Sequence, residues 1–141
     1  MPTMQLEIVT AERLVYSEQV NCVVAPGIEG ELGILPHHAP LLTTLQPGEL
    51  RIMREGQADI YLAVSGGFLE VMANRVVVLA DAAERADEID ETRAQEAVHR
   101  AQEQLEHRSA DIDLERALAS MRRAQTRLKV VRRRRHPPTP G

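Results

Sequence analysis

The sequence predicts an α+β protein in two parts, an N-terminal antiparallel β-sandwich or flattened barrel followed by a C-terminal two-helix antiparallel hairpin. Three observations carry that prediction. Up to about Ala83 the apolar residues come in short runs rich in Val, Ile and Leu, separated by turn residues. After Ala83 they recur at steps of three and four. Aromatic residues make up only 2% of a chain that is 43% hydrophobic, so aliphatic side chains must fill the core.

In the first part, residues 1–85, strands are expected over 5–10, 20–25, 48–54, 58–64, 67–72 and 75–80. Pro26-Gly27, Pro47-Gly48, Glu55-Gly56 and Ala73-Asn74 supply turns between them. The spacing leaves no room for crossover helices, which favours antiparallel pairing. Gly66 and Gly67, inside Val-Ser-Gly-Gly-Phe, read as a β-bulge in preference to a site of close backbone approach. Gly30, Gly33 and the Pro-flanked stretch ending at Pro40 predict an exposed loop, because Pro36 and Pro40 remove ladder donors.

In the second part, residues 86–135, Ile89, Ala94, Ala97, Val98, Ala101 and Leu105 form one apolar stripe. Leu114, Ala117, Leu118, Met121, Ala124, Leu128 and Val131 form another. Asp87 is expected to cap the first helix, and Ser109 or Asp111 the second. Because the stripes are rich in alanine, the seam between helices should bury modest area and be worth little more than its ordering entropy. Acids at the start of the second helix (Asp111, Asp113, Glu115) and arginines at its end suit the helix dipole. Residues 136–141, with three prolines, predict a disordered tail.

At 141 residues the chain suits a compact β domain with an appended element, not a large enzyme. The single cysteine, Cys22, rules out an internal disulfide and reads as a small buried hydrophobe. No basic segment leading into an apolar core opens the sequence, and no apolar run approaches the ~18 residues of a membrane span. The expectation is a soluble protein that meets a membrane only through partners. The net charge of −4 hides an asymmetry: from Met121 onward there are eight basic residues and no acids. Such a basic end predicts an acidic partner.

Gly30-Glu-Leu-Gly-Ile-Leu-Pro-His-His-Ala-Pro-Leu-Leu42, Val64-Ser-Gly-Gly-Phe-Leu-Glu-Val71 and Val77-Val-Leu-Ala-Asp-Ala-Ala-Glu-Arg85, followed by the arginine-tailed hairpin, resemble the epsilon subunit of the F-type ATP synthase, called delta in mitochondria. The similarity spans about 4–132. The resemblance implies a non-catalytic subunit at the foot of the central stalk, bound to the gamma subunit and the c-ring, on the cytoplasmic face of the bacterial plasma membrane. By that analogy the 30–42 loop faces the stalk and His38 contacts gamma. His37 and His38 as two solvated loop histidines is the plainer reading, and a metal site is not expected.

Ile89-Asp90-Glu91-Thr92-Arg93-Ala94 matches the I-D-x-x-R-A pattern of ATP-binding members of that family. Asp90, Arg93 and Ala94, at i, i+3 and i+4, share a helix face, and Arg123 and Arg127 are likewise four apart on the second helix. A carboxylate accepting from ribose or adenine, an alanine leaving space for the base and three arginines on the phosphates make a coherent set. The resemblance adds Glu84. No G-x-x-x-x-G-K-[ST] loop accompanies these residues, so ATP would be sensed as a regulatory ligand and not hydrolysed. The competing reading makes Asp90 a dipole partner and Arg93 a surface ion-pair donor.

The resulting hypothesis is a two-state hairpin. Held down by ATP, the second helix stays away from the catalytic head. Released, its basic residues Arg122, Arg123, Arg127, Lys129, Arg132 and Arg133 meet acidic surface on the alpha and beta subunits and block hydrolysis. Two other classes compete. The run 132–135 suits a nucleic-acid-binding protein, although stacking aromatics are scarce. An enzyme lacks its constellation, since Ser65 is not in G-x-S-x-G and the five histidines are scattered. The four consecutive arginines and the Pro-rich end depart from the family pattern.

Overall fold

The structure, a computed structural model, describes residues 1–106 and 114–135. Ten strands come first: β1 (Met4–Val9), β2 (Leu14–Val20), β3 (Cys22–Gly27), β4 (Gly30–Ile34), β5 (Leu41–Leu45), β6 (Gly48–Met53), β7 (Ile60–Val64), β8 (Gly67–Met72), β9 (Arg75–Ala80) and β10 (Ala83–Arg85). A single 3-10 turn (Ala86–Glu88) leads to α1 (Glu91–Glu106) and α2 (Leu114–Arg135). The strands form one nearly closed sheet in the order β10-β7-β6-β3-β5-β8-β9-β1-β2, with β4 paired to β3.

Alternation places the core. On β1 Met4, Leu6 and Ile8 point inward, and Leu69 and Val71 of β8 and Val76, Val78 and Ala80 of β9 do the same. These join Leu50, Ile52, Leu62 and Val64 in one aliphatic interior. Strand β7 breaks the rule: Tyr61 and Ala63, on its other face, are buried as well, because the hairpin covers them. They belong to a second, separate cluster with Ile89, Ala94, Val130 and Val131. The hairpin thus rests on the outside of the barrel and shares no core with it.

Several expectations are corrected. Pairing is antiparallel, as expected, with one exception, β1 and β9, which run parallel. The segment from Gly30 is not all loop: Gly30–Ile34 forms a hairpin with β3, and the prolines lie beyond its last ladder pair. Gly66 and Gly67 form no bulge: Gly66 lies in the link from β7, and Gly67 opens β8 in unbroken register with Leu45 and Ala80. A Cβ on Gly67 would overlap the Leu79 carbonyl oxygen and sit 2.9 Å from Ala80 Cα, and its φ is +128°. Asp87 lies in the 3-10 turn, and Asp90 caps α1 instead, its Oδ1 accepting from the Arg93 N–H at 3.1 Å. Cys22 is half-buried, with burial pushing its thiol pKa up despite the opposing pull of Arg51. Leu114 and Leu118 are exposed, while Val130, outside the expected stripe, is buried. The caps expected at Ser109 and Asp111 and the tail 136–141 lie outside the described residues.

Candidate functional site

A cavity of about 380 Å3 opens where both helices meet the ends of β7 and β10, inside the usual range for ligand clefts. Glu84, Arg123 and Arg127 line it, with Ser65, Ala97 and Ser120. Pairing of β10 with β7 places Glu84 opposite Ala63, so its carboxylate is carried to the face that the hairpin covers. Arg123 and Arg127, one helical turn apart, overhang the same space. Arg127 pairs with Glu84, while Arg123 has no acidic partner among the described residues.

The other residues of the expected nucleotide set stand elsewhere. Ile89 and Ala94 are fully buried in the seam against Val130, Val131 and Tyr61, so Ala94 borders side chains and not open space. Asp90 is occupied as the cap, and Arg93 is exposed. The structure therefore gathers Glu84, Arg123 and Arg127 around one cavity and leaves Ile89, Asp90, Arg93 and Ala94 outside its lining.

The basic end of α2 is tied down at three points. Besides Arg127, Arg133 donates through Nε and Nη2 to both oxygens of Glu49 at 3.2 and 3.1 Å, and its guanidinium lies 5.1 Å from the Tyr61 ring centroid. Arg132 Nε is 3.6 Å from Glu91 Oε1. Arg122 is exposed, and Lys129 borders a smaller cavity beside Glu49. The sequence reading missed Glu49 and Tyr61. A signal existed: Ile-Tyr-Leu-Ala-Val in β7 is apolar without alternation, the mark of a strand covered on both faces.

His38 is half-buried in the loop before β5, its Nδ1 2.7 Å from the Ala39 carbonyl oxygen. The loop is pinned when the His37 N–H donates to Asn74 Oδ1 at 2.9 Å in the β8–β9 turn. Beside it the outer face of the sheet carries several large apolar side chains around Glu70. Phe68 and Leu79 are cross-strand partners, 53% and 52% exposed, flanked by Leu42 and Met72. Large apolar side chains held outward on adjacent strands mark a docking surface.

Residues 3–86 match the family model described as the beta-sandwich domain of the ATP synthase delta/epsilon chain. Residues 87–132 match the long alpha-helix domain of the same chain. The chain belongs to the ATP synthase delta/epsilon family. Its relatives include an ATP synthase epsilon chain of Herpetosiphon aurantiacus, 57% identical over 132 residues (94% of this chain, 96% of that one), and one of Dehalococcoides mccartyi, 57% identical over 139 residues (97% and 99%). In fold it resembles a chain in the mitochondrial ATP synthase of Euglena gracilis, with a TM-score of 0.69 at 22% identity, covering 92% of this chain and 78% of that one. Membership in the delta/epsilon family makes it a non-catalytic subunit of the ATP synthase central stalk. That displaces the nucleic-acid reading. Among the described residues no helix is long and apolar enough to cross a membrane.

Proposed function

We propose that this subunit couples the catalytic head to the c-ring and restrains ATP hydrolysis through its hairpin, with ATP as the ligand that holds the hairpin down. The outer face bearing Phe68, Leu79, Leu42 and Met72, with the His38 loop beside it, is the side that meets the gamma subunit and the c-ring. Those contacts hold the protein peripherally at the cytoplasmic face of the membrane. The 380 Å3 cavity takes the nucleotide, Arg123 and Arg127 facing its phosphates.

The observation that carries this reading is the separateness of the two buried clusters. A hairpin with its own small seam can leave without opening the barrel core. Its cations are also spent on Glu84, Glu91 and Glu49 while it is docked, so the same side chains cannot meet an acidic head at that time. Ligand at ~100 times its dissociation constant stabilises the docked state by about 2.7 kcal/mol, enough to shift a seam of this size.

The test uses ATP synthase reconstituted with the full chain or with a chain ending at Ala86. Both should assemble, and only the full chain should inhibit hydrolysis; inhibition that survives the truncation removes the hairpin from the mechanism. Calorimetry with Arg123→Ala tests the nucleotide site, where unchanged ATP affinity would discard the cavity as that site.

A further inference from the structure

We propose that the docked hairpin carries a second anion site, a pocket for a phosphate oxyanion, free or at the end of a nucleotide, held between Arg51 of β6 and Lys129 of α2. It is distinct from the cavity at Glu84 and does not depend on it.

A cavity of about 260 Å3, walled mainly by polar atoms, lies on the opposite flank of α2, lined by Val24, Glu31, Glu49, Arg51, Lys129 and Arg133. Register explains the gathering. Glu49 and Arg51 alternate onto one face of β6, opposite Ala63 and Tyr61 of β7, and that is the face on which α2 lies. From above, Lys129 and Arg133 approach one turn apart on the helix.

Charges there do not cancel. Glu49 is taken by Arg133, with both carboxylate oxygens engaged. That leaves Arg51 and Lys129 against Glu31, and none of these three has an ion-pair partner among the described residues. Arg51 is the telling member, because its half-buried side chain lines the cavity and has no ion-pair partner among the described residues. A partly desolvated guanidinium without a counter-charge is unfavourable, and a multivalent oxyanion is the ligand its fork geometry suits best. Lys129 supplies the point charge from the other side of the seam.

The consequence is regulatory. A ligand bridging β6 and α2 finds both halves of its site only while the hairpin is docked, so it stabilises that state by linkage.

Isothermal titration of the full chain with inorganic phosphate, at ionic strength held constant with sodium chloride, tests the site. Saturable binding is expected, weakened at least about tenfold by Arg51→Gln and by Lys129→Gln, the loss of one charged contact. Arg123→Ala should leave phosphate binding as it is, and phosphate should slow tryptic cleavage of α2 in the unaltered chain but not in Arg51→Gln. Circular dichroism checks that each variant is folded, and Lys129, exposed on the helix, gives the variant least able to disturb the barrel. ATP added to the Arg123→Ala chain separates the two sources: displacement of phosphate assigns the site to nucleotide phosphates, and its absence assigns it to free phosphate. Absence of saturable binding overturns the proposal, as does binding that Arg51→Gln and Lys129→Gln both retain. Binding lost in Arg123→Ala alone places phosphate in the other cavity and overturns it equally.

Discussion

Arg127 of α2 reaches Glu84 of β10 with two nitrogens, Nε lying 2.8 Å from Oε1 and Nη2 donating to Oε2 at 3.2 Å. The pair straps the helix to the last strand of the barrel and forms one wall of the larger cavity. Each side chain is about one-third exposed (30% and 35%), so solvent screens the pair and its worth is roughly 0.2–1 kcal/mol. A nucleotide phosphate entering the cavity competes with Glu84 for Arg127, which couples ligand binding to the strap. A double-mutant cycle with Glu84→Gln and Arg127→Gln, read from tryptic cleavage of α2, should give a coupling of about 0.5 kcal/mol that shrinks in high salt. A coupling of zero at low salt would mean that the contact holds nothing.

The seam is expected to fail independently of the barrel. Ile89 is 2% exposed and belongs to the cluster beneath the hairpin, not to the barrel core. Ile89→Ala should cost about 2–3 kcal/mol of docking, toward the lower end for a buried isoleucine because the seam lies near the surface and can collapse. Amide exchange in α1 and α2 should accelerate while exchange in β1, β8 and β9 stays slow. Equal acceleration in the strands would show one cooperative unit instead of two.

Gly67→Ala should damage the barrel and spare the seam. The added methyl meets the Leu79 carbonyl oxygen and Ala80 Cα, and the backbone at φ +128° disfavours any side chain. A loss of about 2 kcal/mol or more in denaturant unfolding of the β domain is expected. A stability within error of the parent would mean that β8 and β9 move apart at little cost.

Alkaline pH should weaken the barrel through Tyr16. Burial, then the hydrogen bond to Glu18 and that residue's charge, push its pKa up to about 12, against the opposing pull of Arg54 and Arg85. A raised phenol pKa means that the folded state favours the neutral form. The contribution is complete below the unfolded value of about 10 and is lost as pH rises through the folded one, about 2–3 kcal/mol in all. Tyr16→Phe, which removes the titrating group, should flatten the fall in unfolding free energy over that window. An equally steep fall in the variant would assign the alkaline loss to other groups.

Much of the fold is legible from local pattern. The two periods separate strands from helices, and Ala73-Asn74 turns as expected, both residues adopting positive φ in the β8–β9 hairpin. Strands β2, β4 and β5 escape local reading, because Leu14–Val20 interrupts its apolar positions with Ser17, Glu18 and Gln19, and Gly30–Ile34 carries two glycines. Their strand form comes from neighbours that supply ladder partners. The candidate site divides in the same way. Arg123 and Arg127 share a face by helical spacing alone, but their meeting with Glu84 depends on where α2 lands.

The sequence by itself determined which segments are strands or helices by period, where the charge polarises and to which family the motifs belong, since each of these depends on residues close together in the chain. Only the tertiary structure decided that Ala94 is covered, that Glu49 captures Arg133 and that Arg51 lines a cavity beneath α2 with no acceptor at its Nε. Those facts depend on one rigid placement of a helix pair over β6 and β7, and contacts between residues more than eighty positions apart leave no periodic trace in the chain that makes them.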